Sequence, residues 1–278
     1  MFCIHHDDLD GYAAARVVAK FEKDYNKEHF FEANYKRELP FDKIKKNEKV
    51  YVVDYSFSDS QIDLLQKLMQ ITNNIIWIDH HKSSIEMLKN HPEFNNINGI
   101  VKDGISGAAL AYMYLYNVKY DDIPLYLKYV SDYDLWLYRY GKNTEYFSCY
   151  MNSVKFSIDS YIWEELESNN SFLNEIIEDG KVIRRYIETQ YQSIRDGYGY
   201  ECDVEGYKAF VVNSHGNSWV FGNKINEYDL CVLWKFDGER YCYSLYSHKD
   251  VDCSEIAVRY GGGGHKAAAG CTSINKLW

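Results

Sequence analysis

Apolar residues near the start of the chain come in short runs, and three of these runs stop abruptly in histidine or aspartate. Phe2-Cys3-Ile4 leads into His5-His6, Val50-Tyr51-Val52-Val53 into Asp54, and Ile75-Ile76-Trp77-Ile78 into Asp79-His80-His81. A short apolar run bounded by polar residues reads as a buried strand of a parallel sheet, and such sheets present ligand-binding groups at the carboxyl ends of their strands. Helical patterns lie between the runs. Gly11–Tyr25 is alanine-rich, and Ser58–Gln70 opens with a capping signal and carries Ile62, Leu64, Leu65, Leu68 and Met69 at helical spacing. Phe30–Tyr35 reads as a weaker strand. Strand and helix alternating in this way predict an α/β fold with a parallel sheet covered by helices.

Further along, Ser106-Gly107-Ala108-Ala109-Leu110 opens a helix, and Asp121–Val130 forms another that ends in Ser131-Asp132-Tyr133-Asp134. From Gly141 to about Tyr200 the pattern is helical and charged, without short strands, as a connector would be. Ala209–Val212, Leu230–Lys235 and Tyr241–Tyr246 return to β character, and a helix starts at Asp252. The tail Gly261-Gly262-Gly263-Gly264-His265-Lys266-Ala267-Ala268-Ala269-Gly270 reads as a loop. Successive glycines there allow backbone N–H groups to converge on an anion, with His265 and Lys266 adding donors; taken alone, the run reads rather as a flexible loop with an exposed histidine.

Composition narrows the function. The 278 residues leave ample material for more than one core. A net charge of -10 argues against a broad basic surface, so long duplex nucleic acid is not an expected partner. Seven cysteines, none in a CxxC pair, suit buried thiols in a reducing cytosol better than a disulfide frame or a zinc site. No run reaches the length of a membrane span and the N-terminus does not read as a signal segment, so no membrane association and a cytoplasmic location are expected.

The strand ends and the Asp132 segment supply His6, Asp8, Asp10, Asp54, His80 and Asp132. Imidazole nitrogen with several carboxylates and no thiolate suits a hard to borderline divalent ion, Mn²⁺ or Mg²⁺. Any one of these aspartates could simply cap a following helix. Several converging carboxylates, however, repel one another unless a cation lies among them.

His6-x-Asp8-x-Asp10-Gly11, the strand-final Asp54, Asp79-His80-His81 and Ser131-Asp132 resemble, in order and spacing, the four motifs of the DHH phosphoesterase superfamily. Gly261–Gly270 is similar to the GGGH-x-x-A-A-G signature of its associated C-terminal domain. The resemblance spans residues 3–270 and implies a metal-dependent phosphoesterase: a DHH catalytic domain over residues 1–140, a helical connector over 141–200 and a smaller α/β C-terminal substrate-binding domain over 201–278. It implies two Mn²⁺ ions per site, with Mg²⁺ as the alternative. His6 and Asp8 would bind one, Asp10, His80 and Asp132 the other, and Asp54 would bridge them. His81 would face the substrate phosphate, and Gly262, Gly263, Gly264, His265, Lys266 and Tyr246 would hold the rest of the substrate. His5 and Asp7 offer an alternative pair one residue out of register, while Asp79 and Asp134 would orient other groups. At Tyr246 related C-terminal domains usually carry arginine, so a guanidinium grip on phosphate is missing and the ring could instead stack on a base.

The activity so implied is hydrolysis of short single-stranded oligonucleotides or linear dinucleotides to mononucleotides. Alternatives using the same site are a phosphatase of 3'-phosphoadenosine-5'-phosphate and a cyclic-dinucleotide phosphodiesterase. From another class, a non-catalytic nucleotide-binding protein would keep the fold but predicts a broken metal set. Oligomeric state is left open, a homodimer included.

Overall fold

The computed structural model describes residues 1–34, 37–169 and 171–278, with His265 described by its backbone alone. The chain divides into two compact units, residues 1–183 and 184–278.

In the first unit the strands are β1 (Phe2–His6), β2 (Phe30–Ala33), β3 (Val50–Val53), β4 (Ile75–Asp79) and β5 (Asn98–Val101). They form one parallel sheet in the order β2-β1-β3-β4-β5. Its helices are α1 (Leu9–Glu22), α2 (Ile62–Ile71), α3 (Lys82–Asn90), α4 (Gly107–Tyr116), α5 (Leu125–Asp134), α6 (Lys142–Ser153) and α7 (Tyr161–Ser168). A 27-residue helix, α8 (Phe172–Tyr198), follows and carries the boundary between the units.

Period-two alternation sorts the strand side chains between two cores. Cys3, Tyr51, Val53 and Ile78 pack on one face with residues of α1, α4, α5, α6 and α7. Phe2, Ile4, Val50, Val52, Ile75 and Trp77 pack on the other with Leu65 and Leu68 of α2 and Met87 of α3. With both faces covered, β3 is buried along its whole length. Each such apolar side chain contributes roughly 1.5–3 kcal/mol on burial, which fixes the strand ends firmly in space.

The strand order places a topological switch between β1 and β3. From β1 the chain goes to one side to make β2 and then returns to β1's other side as β3. In open parallel sheets the crevice at the carboxyl ends beside such a switch is where ligands bind. His6 ends β1 and Asp54 follows β3, so both lie at that crevice.

Local chemistry moves some boundaries away from the sequence expectation. The strand expected over Phe30–Tyr35 ends at Ala33, and Tyr35 lies outside the described residues. The segment expected as a helix over Asp121–Val130 is instead a short turn, Tyr120–Asp122, followed by α5 over Leu125–Asp134. Pro124 explains the late start, since a residue before proline is pushed out of helical geometry, and Ile123 is extended (ψ 154°). The late end puts Ser131–Asp134 inside the helix. Strand β5 was not expected from sequence.

The second unit holds β6 (Gly199–Val204), β7 (Tyr207–Asn213), β8 (Leu230–Phe236), β9 (Tyr241–Tyr246), β10 (Gly263–His265) and β11 (Ala268–Ser273), with helices α9 (Lys224–Glu227) and α10 (Cys253–Arg259). Its sheet order is β10-β11-β9-β8-β7-β6, antiparallel except for the β7–β8 pair. Here the glycine run departs from the expected loop of convergent N–H groups. Gly263–His265 pairs with Ala268–Gly270 as a tight hairpin that turns through Lys266 and Ala267. The glycines serve close approach: a Cβ on Gly264, at φ +145°, would lie 2.5 Å from Ala269 Cα, and one on Gly262 would lie 2.1 Å from Gly270 O.

Candidate metal centre

The DxDG turn between β1 and α1 does two jobs. Asp8 is the N-cap of α1: its Oδ1 accepts the Gly11 N–H at 2.9 Å while Oδ2 meets His6 Nδ1 at 2.7 Å. Burial opposes charge on Asp8, but these hydrogen bonds outweigh it and hold the carboxyl below its ordinary range. Asp10 is buried, and its two oxygens accept the N–H groups of Gly107 and Ala108 at 2.6 and 3.1 Å. It thereby anchors the N-terminus of α4, where the helix dipole favours a negative charge.

Asp54 follows β3 with φ 52°, in the left-handed region. Such a conformation in a residue other than glycine costs about 1–3 kcal/mol and is typical of functional positions. Its side chain is seated against Gly107. A Cβ there would lie 2.5 Å from Asp54 Cβ and 2.7 Å from its Oδ1, so only glycine fits. Gly107→Ala is therefore expected to displace Asp54 and weaken Mn²⁺ binding tenfold or more by titration calorimetry. Wild-type affinity in this variant would separate Asp54 from the metal.

From the end of β4, His80 Nε2 lies 3.2 Å from Asp54 Oδ1, 3.4 Å from Asp134 Oδ2 and 3.8 Å from Asp10 Oδ2. Asp54 Oδ1, His80 Nε2 and Asp134 Oδ2 are all buried, yet none makes a hydrogen bond. Buried polar atoms are normally paired, and two unpaired carboxylate oxygens beside an unpaired imidazole nitrogen form a donor set that suits a cation. Burial, together with the neighbouring charges of Asp10 and Asp8, pushes the carboxyls of Asp54 and Asp134 well above their ordinary range. A divalent ion would remove that penalty. The donor atoms fall into three groups of close neighbours: His6, Asp8 and Asp54; Asp10, His80 and Asp134; and Asp54, His80 and His81. Asp54 and His80 link the groups, and the oxygen-and-imidazole donors fit Mn²⁺ or Mg²⁺.

His81 is held from behind. Asp79, fully buried, accepts from His81 Nδ1 at 2.7 Å and from Ser84 Oγ at 2.5 Å, and Ser84 Oγ in turn reaches Ser56 Oγ at 3.0 Å. Burial alone would lower the pKa of His81, but the bond and charge of Asp79 prevail and lift it to about 9. His5 has a different environment: buried, with its Nδ1 on the His6 carbonyl, it is pushed down to about 4 by desolvation.

The structure thus brings together His6, Asp8, Asp10, Asp54, His80 and His81. Asp132 it does not. Both Asp132 oxygens face the chain that follows α5, accepting from Arg139 N (2.8 Å), Tyr140 N (3.2 Å) and Thr144 Oγ1 (2.5 Å). Asp134 stands at the cluster in its place. The reason is helical geometry: at 3.6 residues per turn, positions two apart are rotated by about 200°, so only one of the pair can face the site. Asp134 is the residue that sequence reasoning placed in a supporting role, and the Ser84 and Ser56 hydroxyls it did not single out. In the second unit, Gly263, Gly264 and Lys266 are exposed on the hairpin, and Tyr246 is half-buried with its ring 5.9 Å from Phe221.

A family model described as the DHH family, N-terminal domain, matches residues 1–132. The chain is 24% identical over 304 residues to the oligoribonuclease NrnB of Bacillus subtilis (strain 168), a match covering 98% of this chain and 73% of that protein. It is 28% identical over 251 residues to the uncharacterized protein R106 of Acanthamoeba polyphaga mimivirus, covering 82% of this chain but only 54% of the relative, so it spans about half of that protein's length. Among solved structures, the pGpG-specific phosphodiesterase PggH from Vibrio cholerae superposes with a TM-score of 0.60 at 13% identity, over 98% of this chain and 93% of that one, a likeness of fold. Over residues 1–132, then, the chain is similar to the N-terminal domain of the DHH family.

Proposed function

We propose that this chain is a divalent-metal-dependent phosphodiesterase that hydrolyses short oligonucleotides or linear dinucleotides to mononucleotides. The observation that carries the reading is the convergence of three buried, unpaired ligand atoms, Asp54 Oδ1, His80 Nε2 and Asp134 Oδ2, at the carboxyl edge of the sheet. Similarity to an oligoribonuclease along nearly the whole chain supports the choice of substrate. In this reading His6 and Asp8 would hold one ion, Asp10, His80 and Asp134 would hold the other, and Asp54 would contribute to both. Bound divalent ions supply Lewis-acid polarisation of the scissile phosphate and a water made nucleophilic at neutral pH.

The remaining residues position and donate. His81, held through its Nδ1 by Asp79, would turn its other ring nitrogen to a phosphoryl oxygen, and Ser84 fixes Asp79 so that the ring does not swing away. The connector expected over 141–200 is not a separate part, since α6 and α7 pack into the first unit's core and the boundary falls after Ile183; within the second unit, Gly262–Gly264, His265, Lys266 and Tyr246 would bind nucleotide. With a net charge of -10 the protein gains little from each additional phosphate, which favours substrates of two to about four nucleotides. No described helix is long and apolar enough to cross a membrane.

The test is a panel with Mn²⁺: RNAs from two to about twenty nucleotides, 3'-phosphoadenosine-5'-phosphate, cyclic dinucleotides and pyrophosphate. Highest kcat/KM is expected on the shortest RNAs, falling with length, abolished by EDTA and restored by Mn²⁺. A preference for the bisphosphorylated nucleoside or the cyclic dinucleotides would replace the substrate. Binding without turnover of anything in the panel would favour a nucleotide-binding protein.

A further inference from the structure

Directly after Asp134 the chain makes a short excursion, Leu135 to Tyr140, with three features that packing alone does not account for. Trp136 is 51% exposed, the largest side chain of the excursion left so open. Its backbone is in the left-handed region at φ 55°, and Tyr138 repeats this at φ 49°. Two such residues within three positions cost free energy that glycine would have avoided. The excursion is nonetheless pinned. Asp132 accepts the N–H groups of Arg139 and Tyr140, Trp136 N bonds to Tyr133 O, and Leu137 N to Asp132 O.

The Trp136 ring is also braced. Tyr133 lies nearly parallel to it with centroids 6.4 Å apart, and Tyr138 meets it edge-on at 6.2 Å. A braced, exposed indole loses little freedom when a flat ligand covers it, which is what makes aromatic side chains good stacking surfaces. It lies two positions after Asp134, so the two Cα atoms lie within about 7 Å. Arg139, three positions on, is exposed and makes no ion pair among the described residues. A cation beside an open aromatic ring matches a ligand with a flat base and a phosphate better than it matches an apolar partner.

We propose that Trp136 is the stacking platform for a nucleobase next to the scissile phosphate, and that it makes the site prefer nucleotides over other phosphodiesters. This rests on the phosphodiesterase reading above. The excursion keeps its strained backbone because that conformation holds the indole open two positions after Asp134, and Asp132 fixes the backbone there.

The test compares a dinucleotide with an abasic analogue in which both bases are replaced by hydrogen, using wild type, Trp136→Ala and Trp136→Phe. In wild type the KM for the base-bearing substrate should be about tenfold or more below that for the abasic one. Trp136→Ala should bring that ratio close to one, and Trp136→Phe should restore most of it. Equilibrium binding of a non-hydrolysable phosphorothioate dinucleotide should weaken in parallel. An unchanged ratio in Trp136→Ala overturns the platform, as does an equal loss on both substrates that Trp136→Phe shares, which would make the ring structural. If wild type cleaves neither dinucleotide, the phosphodiesterase reading itself fails, a result separate from either of these.

Discussion

Asp54→Asn is expected to abolish turnover while leaving the metal-free protein harder to unfold. The carboxylate has its Oδ1 buried without a hydrogen bond, 3.2 Å from His80 Nε2, and it belongs to ligand groups shared with His6 and Asp8 on one side and with His80 and His81 on the other. Asparagine keeps the shape that fits against Gly107 and tolerates the left-handed backbone, so the fold should persist. What is lost is the charge. Electrostatic stabilisation by bound ions is worth several kcal/mol at a phosphoryl transition state, so a loss of about 10³-fold or more in kcat/KM is expected.

Stability should move the other way. Burial and the charges of Asp10 and Asp8 raise the pKa of Asp54 in the folded state, so folding takes up a proton there. A raised carboxyl contributes stability that is complete below the ordinary carboxylate range and is lost as pH climbs through the raised value. In EDTA the wild-type protein should therefore melt lower at pH 8 than at pH 5. Asp54→Asn should flatten part of that slope and raise Tm at pH 8, by about 2–4 °C for each kcal/mol recovered. Calorimetric scans at the two pH values, with and without Mn²⁺, check this. Turnover within a few-fold of wild type would remove Asp54 from the metal site, and an unchanged melting slope would mean the repulsion is relieved in some other way.

How far the sequence went toward this site depended on how local each signal was. The ends of β1, β3 and β4 were legible because buried parallel strands are apolar throughout, and a histidine or aspartate breaking that pattern can only lie at an edge. Strand β5 was not, since Asn98-Gly99-Ile100-Val101 offers too short an apolar run and earns its place by pairing with β4. The glycine run could not reveal its form either. Close approach to Ala269 and Gly270 demands glycine as strongly as an anion nest does, and only the pairing partner tells them apart. The Ser84–Asp79–His81 chain was half visible: an aspartate two before a histidine suggests support, but a serine five residues on gives no sign that it completes it.

The sharpest consequence concerns the end of α5, where sequence and structure choose different aspartates. From sequence the helix is expected to end near Val130, and Asp132 is taken from the Ser131-Asp132 motif. The helix runs through it because Asp132 itself caps the excursion that follows, through Arg139 N, Tyr140 N and Thr144 Oγ1. The two aspartates should therefore fail in opposite ways. Asp134→Asn removes a ligand oxygen beside His80 and leaves no partner stranded, since Asp134 Oδ2 makes no hydrogen bond. It should lower Mn²⁺ affinity and cost about 10²- to 10³-fold in kcat/KM, with Tm in EDTA unchanged or higher. Asp132→Asn instead weakens charged hydrogen bonds to two backbone N–H groups and a hydroxyl, a loss of about 1.5–3 kcal/mol for each bond it breaks. Its Tm should fall by several degrees, Mn²⁺ affinity should stay within tenfold, and KM should rise more than kcat falls because the Trp136 excursion is loosened. Titration calorimetry with Mn²⁺ and thermal melts on the two variants settle the assignment. If Asp132→Asn proves stable but unable to bind Mn²⁺, while Asp134→Asn binds as wild type does, the metal ligand is Asp132 and α5 must turn at its end when the ion is bound.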